Sequence, residues 1–207
     1  MDKWHGGSKY EIGYEPSGFV AGSGQEFLLH HLTSSERNPV LDWGAWRGRN
    51  LSVLRSLGRE VVAVDGPWAR QATIGLENFV EVQRFSQLPF PDDYFSAVLS
   101  WRVLHNMHSV QEIMASVREL RRVMCLGAPL LLAVRVAEGD EPFPVKILNG
   151  NGNGGKREDF YFSENSLRDY VLWGSFKIVE THRIEEGEMV DGMAVMNRYI
   201  VAECLAI

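Results

Sequence analysis

The chain of 207 residues is poor in cysteine, in excess positive charge and in long apolar runs. Two cysteines, Cys125 and Cys204, are too few for a disulfide framework, and we expect both to be small buried side chains in a reducing compartment. The net charge of -6 argues against nucleic-acid binding by bulk charge and leaves only a local basic patch open. The longest apolar run, residues 130–134, is too short to span a bilayer, and the polar N-terminus does not resemble a secretory signal. These absences favour a cytoplasmic protein without a membrane segment.

The first 24 residues are rich in glycine and contain Pro16, which predicts an irregular N-terminal arm over residues 1–24. We expect its aromatic residues to fix it onto the rest of the chain, and the alternative is a lid over a ligand. These aromatic residues are Trp4, Tyr10, Tyr14 and Phe19. Residues 25–207 are of the length and composition of one domain with a full core.

Short apolar runs alternate with segments of helical periodicity along this domain. The predicted strands begin at residues 40, 60, 79, 97 and 130, and the predicted helices cover residues 25–32, 50–57, 110–123 and 163–172. Residues 176–180 and 198–204 are expected to pair as two antiparallel strands, and the Asn/Gly-rich residues 149–155 to form a flexible loop. The pattern predicts an α/β fold with an open, mostly parallel, doubly wound sheet and an antiparallel C-terminal strand pair.

The segment with the clearest chemical meaning is the turn after the first strand. Gly44 and Gly48 allow the chain to turn tightly there and allow backbone N–H groups to approach a ligand at the start of the next helix. Asp65 ends the second apolar strand, where a carboxylate is placed to accept two ribose hydroxyls. The alternative for Asp65 is a helix N-cap or a solvated turn residue.

Five segments, in order, resemble the motifs of class I S-adenosylmethionine-dependent methyltransferases. Residues 42–48 are similar to the motif Asp-x-Gly-x-Gly-x-Gly, and Asp65 to the acidic second motif. Residues 88–95 resemble Leu-Pro-Phe-x-Asp-x-x-Phe, residues 103–105 are Val-Leu-His, and residues 122–128 resemble Arg-Val-Leu-x-Pro-Gly-Gly. Within that superfamily, residues 48–50 and 160–167 are most similar to small-molecule methyltransferases of the tellurite-resistance type (methyltransferase type 11).

The resemblance implies a Rossmann-like fold, S-adenosyl-L-methionine as cofactor and methyl transfer to a small-molecule substrate. The cofactor-binding residues that it implies are Asp42, Gly44, Trp46, Gly48, Asp65, Gly66, Phe85, Ser86 and Trp101. Trp101 could equally belong to the core. His105 is the candidate catalytic base, because a histidine can deprotonate a substrate near neutral pH, and the alternative is a turn histidine bonded to a neighbour. No His/Cys grouping has zinc-site spacing, so no metal is expected.

Two departures from the motifs leave other functions open. Trp46 stands where the middle glycine lies against the methionine part of the cofactor, so its indole either fills that space or points away. No acidic residue stands near residues 84–86, where the family often holds the adenine amino group. The second hypothesis is therefore a catalytically inactive binding protein with a protein partner and with Trp46 in the cofactor pocket. The third, a methyltransferase acting on RNA or protein, requires a basic face or an added domain that the sequence does not suggest.

Overall fold

The computed structural model describes residues 16–32, 38–69, 78–150, 156–190 and 193–207. The strands of these ranges are β1 Val40–Trp43, β2 Val61–Asp65, β3 Phe79–Glu81, β4 Ala97–Trp101, β5 Pro129–Arg135, β6 Val145–Gly150, β7 Lys156–Tyr161, β8 Phe176–Val190 and β9 Met193–Ala206. The α-helices there are α1 Gln25–His31, α2 Leu51–Ser56 and α3 Val110–Val123. Short 3₁₀ turns occupy Pro67–Ala69 and Leu104–Asn106, and π-helical segments occupy Val20–Gly24 and Ser166–Val171.

Seven strands form one sheet in the order β3-β2-β1-β4-β5-β9-β8. Strands β1 to β5 are parallel, whereas β9 runs antiparallel to both β5 and β8. This confirms the predicted mostly parallel α/β sheet with an antiparallel C-terminal pair. Strand β1 lies between β2 and β4, so the carboxyl ends of the three meet at the centre of the sheet, where ligands of such folds bind.

Each face of the sheet is covered by its own apolar core. Every residue of β1, β2 and β4 is buried, as expected for parallel strands packed on both faces. Helix α3 packs its apolar stripe on one face through Ile113 and Leu120, and α1 and α2 cover the other. Helix α3 has the predicted bounds because Ser109 caps it: the Ser109 Oγ accepts a hydrogen bond from the Glu112 N–H at 3.1 Å.

Part of the predicted irregular arm is helical. Residues 1–15, with Trp4, Tyr10 and Tyr14, lie outside the described residues, but Val20–Gly24 forms a π-helical turn that runs into α1. Val20 is fully buried in the core, and a Cβ on Gly24 would lie 2.6 Å from Leu131 Cδ2. Glycine therefore lets this turn sit closely on β5, and that packing overrides the weak helical propensity of the segment. Phe19 does pack on the domain, with its ring centroid 5.0 Å from that of His182.

The C-terminal third contains more strand than the sequence predicted. Asn149 and Gly150, expected in a loop, end strand β6 of a hairpin with β7, and residues 151–155 lie outside the described residues. Strands β8 and β9 extend far beyond the predicted pair, into a polar ribbon in which Glu185 and Arg198 pair across the strands. Ser163 caps the helical segment that follows it, since its Oγ accepts the Ser166 N–H at 2.9 Å.

Both cysteines are free thiols. Cys204 is buried as predicted, but the expectation was wrong for Cys125, which is half-buried. Its Sγ lies 2.9 Å from Asn38 Nδ2 and 3.0 Å from the Asp93 carbonyl oxygen, so local polar contacts hold it at the surface. Within the described part of the chain, no helix combines the length and the apolar character needed to cross a membrane.

Candidate active site

The turn after β1 bends the chain toward β2. The N–H groups of Gly44 and Ala45 both donate to the Val64 carbonyl, at 2.8 and 3.0 Å. Gly44 has φ +82° and Gly48 has φ +74°, so both use the left-handed region that glycine enters without cost. A Cβ on Gly44 would lie 2.2 Å from Val103 Cγ2, which shows how closely the turn meets the loop after β4. The predicted glycine turn is thus present at the carboxyl edge of the sheet.

Trp46 keeps the backbone of a glycine although it carries an indole. Its φ of +47° lies in the left-handed region, where a side chain costs about 1–2 kcal/mol. The Trp46 N–H offsets this cost by donating to Asp65 Oδ2 at 2.8 Å. The indole is half-buried. The substitution therefore leaves the shape of the turn intact and places a large aromatic side chain beside the site.

Asp65 is buried at the end of β2 and organises the two loops around it. Its Oδ1 accepts the Gly66 N–H at 2.7 Å, while Oδ2 accepts the Trp46 N–H. The Trp68 side chain is a third hydrogen-bond donor to the carboxylate. Burial raises the pKa of Asp65, and these three hydrogen bonds partly oppose that rise. A carboxylate has about four acceptor positions, so Asp65 keeps capacity for a further donor.

Asp42 lies beneath the turn and is 2% exposed. Among the described residues, its Oδ2 has no hydrogen-bond partner. Burial, and next the charge of Asp65, raise the pKa of Asp42 to about 7, against a smaller opposite effect of Arg49. Asp42 therefore exchanges its proton near neutral pH, directly under the predicted cofactor loop.

An aromatic side chain that the sequence analysis missed covers the loop after β2. A Cβ on Gly66 would lie 2.2 to 2.4 Å from three ring atoms of Trp68, so the indole rests directly on the Gly66 backbone. The Trp68 ring centroid is 6.0 Å from that of Phe85, which in turn packs on Trp43 at 4.8 Å. The sequence signal for this contact was a tryptophan three positions after Asp65, which ends β2. It was not recognised because the surrounding stretch has little helical or strand periodicity.

The remaining predicted residues are distributed around this centre. Ser86 is half-buried beside Phe85. Trp101 ends β4 but belongs to the core, where its ring centroid lies 6.4 Å from that of Phe19. His105 is 3% exposed in the turn that follows β4, and β7 packs against that turn. Because a substrate proton would reach His105 only after this turn opens, its role as a base stays a prediction.

A cleft of about 680 Å³ lies beyond the carboxyl end of β5, between the β6–β7 hairpin and the β8–β9 ribbon. Arg135 and Tyr161 line it, and Arg135 Nη1 donates to the Tyr161 hydroxyl at 3.1 Å. Ile147 and Met196, both exposed, give the cleft an apolar part. The cleft has the mixed lining that suits a small organic molecule.

In the described part of β8 and β9, apart from this centre, three side chains of the types that can coordinate a metal lie close together. One ligand atom each from Glu180, His182 and Glu203 lies within 4.8 Å of the others. His182 Nε2 is 3.3 Å from Glu203 Oε1, a distance that a histidine–carboxylate pair also explains. Glu180 and His182 are two positions apart on β8 and therefore share a face, and Glu180 lies opposite Glu203 of β9.

Comparisons with known proteins agree with this geometry. Residues 41–132 match the family model described as "Methyltransferase domain". A search of curated proteins gave no match. The match runs from Leu41 in β1 to Leu132 in β5 and includes the glycine turn, Asp65 and Phe85.

Solved structures share the fold. The 1,6-didemethyltoxoflavin-N1-methyltransferase of Burkholderia thailandensis, crystallised with 1,6-didemethyltoxoflavin and S-adenosylhomocysteine, is 22% identical, with 90% of this chain and 78% of that chain covered and a TM-score of 0.62. A SAM-dependent methyltransferase of Methanosarcina mazei is 20% identical, with 85% and 96% covered and a TM-score of 0.65. The [4+2]-cyclase SpnF is 17% identical, with 88% and 80% covered and a TM-score of 0.58.

The cyclase among these structures shows that the fold does not by itself fix the reaction. The matched domain, the strand order and the acid-and-glycine centre nevertheless agree with one another. Residues 41–132 thus match a methyltransferase domain, and the chain has the fold of solved S-adenosylmethionine-dependent methyltransferases.

Proposed function

We propose that this protein uses S-adenosyl-L-methionine to methylate a small-molecule acceptor. The observation that carries the proposal is Asp65, a buried carboxylate that ends β2 and accepts N–H groups from the turn after β1 and from Gly66. Such an arrangement is preorganised to receive the hydroxyl groups of a nucleoside. When bound, the cofactor supplies a methyl group on a sulfonium, which needs correct positioning more than it needs a strong catalyst.

The residues around Asp65 fit the cofactor if one side chain, the indole of Trp68, moves. Asp65 can accept a further hydrogen bond from a ribose hydroxyl. The glycine turn lies at the end of β1, where ligands of such sheets bind. The Phe85 ring lies beside the space above Gly66, with its centroid 6.0 Å from that of Trp68 and the two rings inclined at 60°. The indole of Trp68 lies in that space, so it has to move before a purine can enter.

The acceptor is proposed to enter through the cleft beyond β5. Apolar side chains line the cleft together with Arg135, Tyr161 and other charged residues such as Glu138, Glu141 and Arg198, and a volume of about 680 Å³ suits a polar molecule of the size of a metabolite. The net charge of -6 supports a small acceptor over a nucleic acid. His105 remains the candidate base if the acceptor carries a proton to lose. The two free thiols support a cytoplasmic location as part of this proposal.

The test is calorimetric titration of the purified protein with S-adenosylmethionine and with S-adenosylhomocysteine. Asp65→Ala is expected to weaken binding by about 1–3 kcal/mol, the cost of losing hydrogen bonds to a buried carboxylate. Asp169→Asn, which changes an exposed acid far from the centre, is the matched control and should bind as the wild type does. Equal affinity of the wild type and Asp65→Ala would contradict the ribose assignment.

The inactive binding protein is the second candidate, and the two tryptophans beside the centre favour it. Trp46→Gly separates the candidates, because it should strengthen binding if the Trp46 indole obstructs the ligand. If Trp46→Gly binds S-adenosylhomocysteine and the wild type does not, the wild-type chain is a binding protein that has lost its cofactor.

A further inference from the structure

Trp68 occupies a place that a ligand of the proposed site would need. Its ring atoms lie directly on the Gly66 backbone, so that no side-chain atom would fit between them. Phe85 faces the same ring at a centroid distance of 6.0 Å, with Trp43 packed behind it. A flat aromatic group therefore fills the slot between Gly66 and Phe85, and a purine is another flat group of similar size.

The indole also supplies a hydrogen bond that a nucleoside would supply. The Trp68 side chain donates to the Asp65 carboxylate, which already receives the Trp46 and Gly66 N–H groups. A ribose hydroxyl beside Asp65 would compete for the same acceptor. One side chain thus supplies two features of a bound nucleoside, a flat ring on the Gly66 backbone and a donor to the acid.

Trp68 is held loosely enough to leave. It belongs to a short 3₁₀ turn, Pro67–Ala69, in which the Ala69 N–H donates to the Gly66 carbonyl at 2.9 Å. The side chain is 51% exposed, whereas its neighbour Trp43 is fully buried. Rotation of the indole into solvent would disturb neither core of the sheet.

We propose that Trp68 closes the nucleoside half of the cofactor site and that a ligand binds by displacing its indole from Gly66 and Asp65. This inference rests on the proposed function, because it takes the slot beside Asp65 to be the nucleoside site. Only molecules in which the indole has moved away can bind, so the apparent affinity is the intrinsic affinity multiplied by the fraction of such molecules. Removal of the indole should therefore strengthen binding.

The experiment compares Trp68→Ala with the wild type in calorimetric titrations with S-adenosylhomocysteine, adenosine and methionine. The variant should bind S-adenosylhomocysteine and adenosine about tenfold more tightly, roughly the effect of one hydrogen bond that no longer competes, with methionine binding unchanged. Trp68→Phe, which keeps a ring but lacks the N–H donor, should fall between them. Trp173→Ala removes another exposed tryptophan, on the turn before β8, and should leave all affinities unchanged.

A second readout follows the indole directly. In protein labelled with 5-fluorotryptophan, the fluorine resonance of Trp68 is the one that disappears in Trp68→Phe. It should shift toward a solvent-exposed position on addition of adenosine, while the resonance of Trp173 stays in place. Because Trp68→Phe retains an aromatic ring on Gly66, it also guards against a loss of folding in Trp68→Ala.

The outcomes separate this inference from the proposed function. Binding by Trp68→Ala but not by the wild type would support the closure and overturn cofactor use by the natural chain. Equal binding by both would leave the proposed function standing and overturn the closure. Weaker binding by Trp68→Ala would show that the indole is a stacking platform for the ligand, which also overturns it. No binding by either protein would overturn both.

Discussion

Replacement of Asp42 by asparagine is expected to stabilise the protein at neutral and alkaline pH. The Asp42 carboxyl is 2% exposed, and burial, together with the nearby Asp65 charge, raises its pKa from 3.8 to about 7. The unfolded chain loses this proton near its ordinary pKa, whereas the native protein keeps it until about pH 7. The native state therefore binds more protons between these values, and the free energy of unfolding falls as the pH rises through that interval.

The size of the effect follows from the shift. One pKa unit corresponds to 1.36 kcal/mol, so a rise from 3.8 to about 7 represents a penalty of about 4 kcal/mol once Asp42 is ionised in the native state. Asparagine has nearly the same shape and no charge, so Asp42→Asn should recover most of that penalty at pH 8 and almost none at pH 4. Asp65, whose pKa burial also raises, should leave a smaller slope of the same sign in the variant.

Urea unfolding followed by circular dichroism between pH 4 and pH 8 measures this difference. Asp169→Asn is the control, because it removes an exposed carboxylate of the same type and should follow the wild-type curve at every pH. The reasoning would be refuted if Asp42→Asn were no more stable than the wild type at pH 8, or if its stability fell with pH as steeply as that of the wild type.

Three further substitutions test the packing around the site by urea unfolding. Gly44→Ala should lower the free energy of unfolding by about 2–4 kcal/mol, because Gly44 has φ +82° and a Cβ there would lie 2.2 Å from Val103. Gly58→Ala, at φ +72° in open space, should lower it by only about 1 kcal/mol. Equal losses in the two variants would contradict the close approach of Gly44 to Val103. Ser109→Ala should cost about 1 kcal/mol through loss of the α3 cap, and Ser109→Asp should restore stability. Arg122→Gln should lower the free energy of unfolding by about 1–2 kcal/mol, because Arg122 donates a hydrogen bond to the Phe90 carbonyl in the loop before β4. An unchanged urea midpoint would show that other contacts hold this loop.

The sequence alone determined the architecture of the parallel sheet. Strands β1, β2 and β4 are short apolar runs because both of their faces are buried, and that requirement is visible residue by residue. The apolar spacing predicted helix α3 with the bounds that the structure gives. The same local reasoning found Asp65 and the glycine turn, since both are defined by where a strand ends.

Only the tertiary structure decided the state of the site. The rise in the pKa of Asp42 depends on the burial of its carboxyl beside Asp65, and the burial of His105 accompanies the packing of β7 against its turn. The length of the β8–β9 ribbon depends on the pairing of the two strands, as of Glu185 opposite Arg198, which no pattern within one strand reveals. Trp68 reaches Gly66 through the path of a short turn. Local periodicity encodes which side of an element is buried, but contacts between elements distant in sequence fix how each side chain is placed and charged.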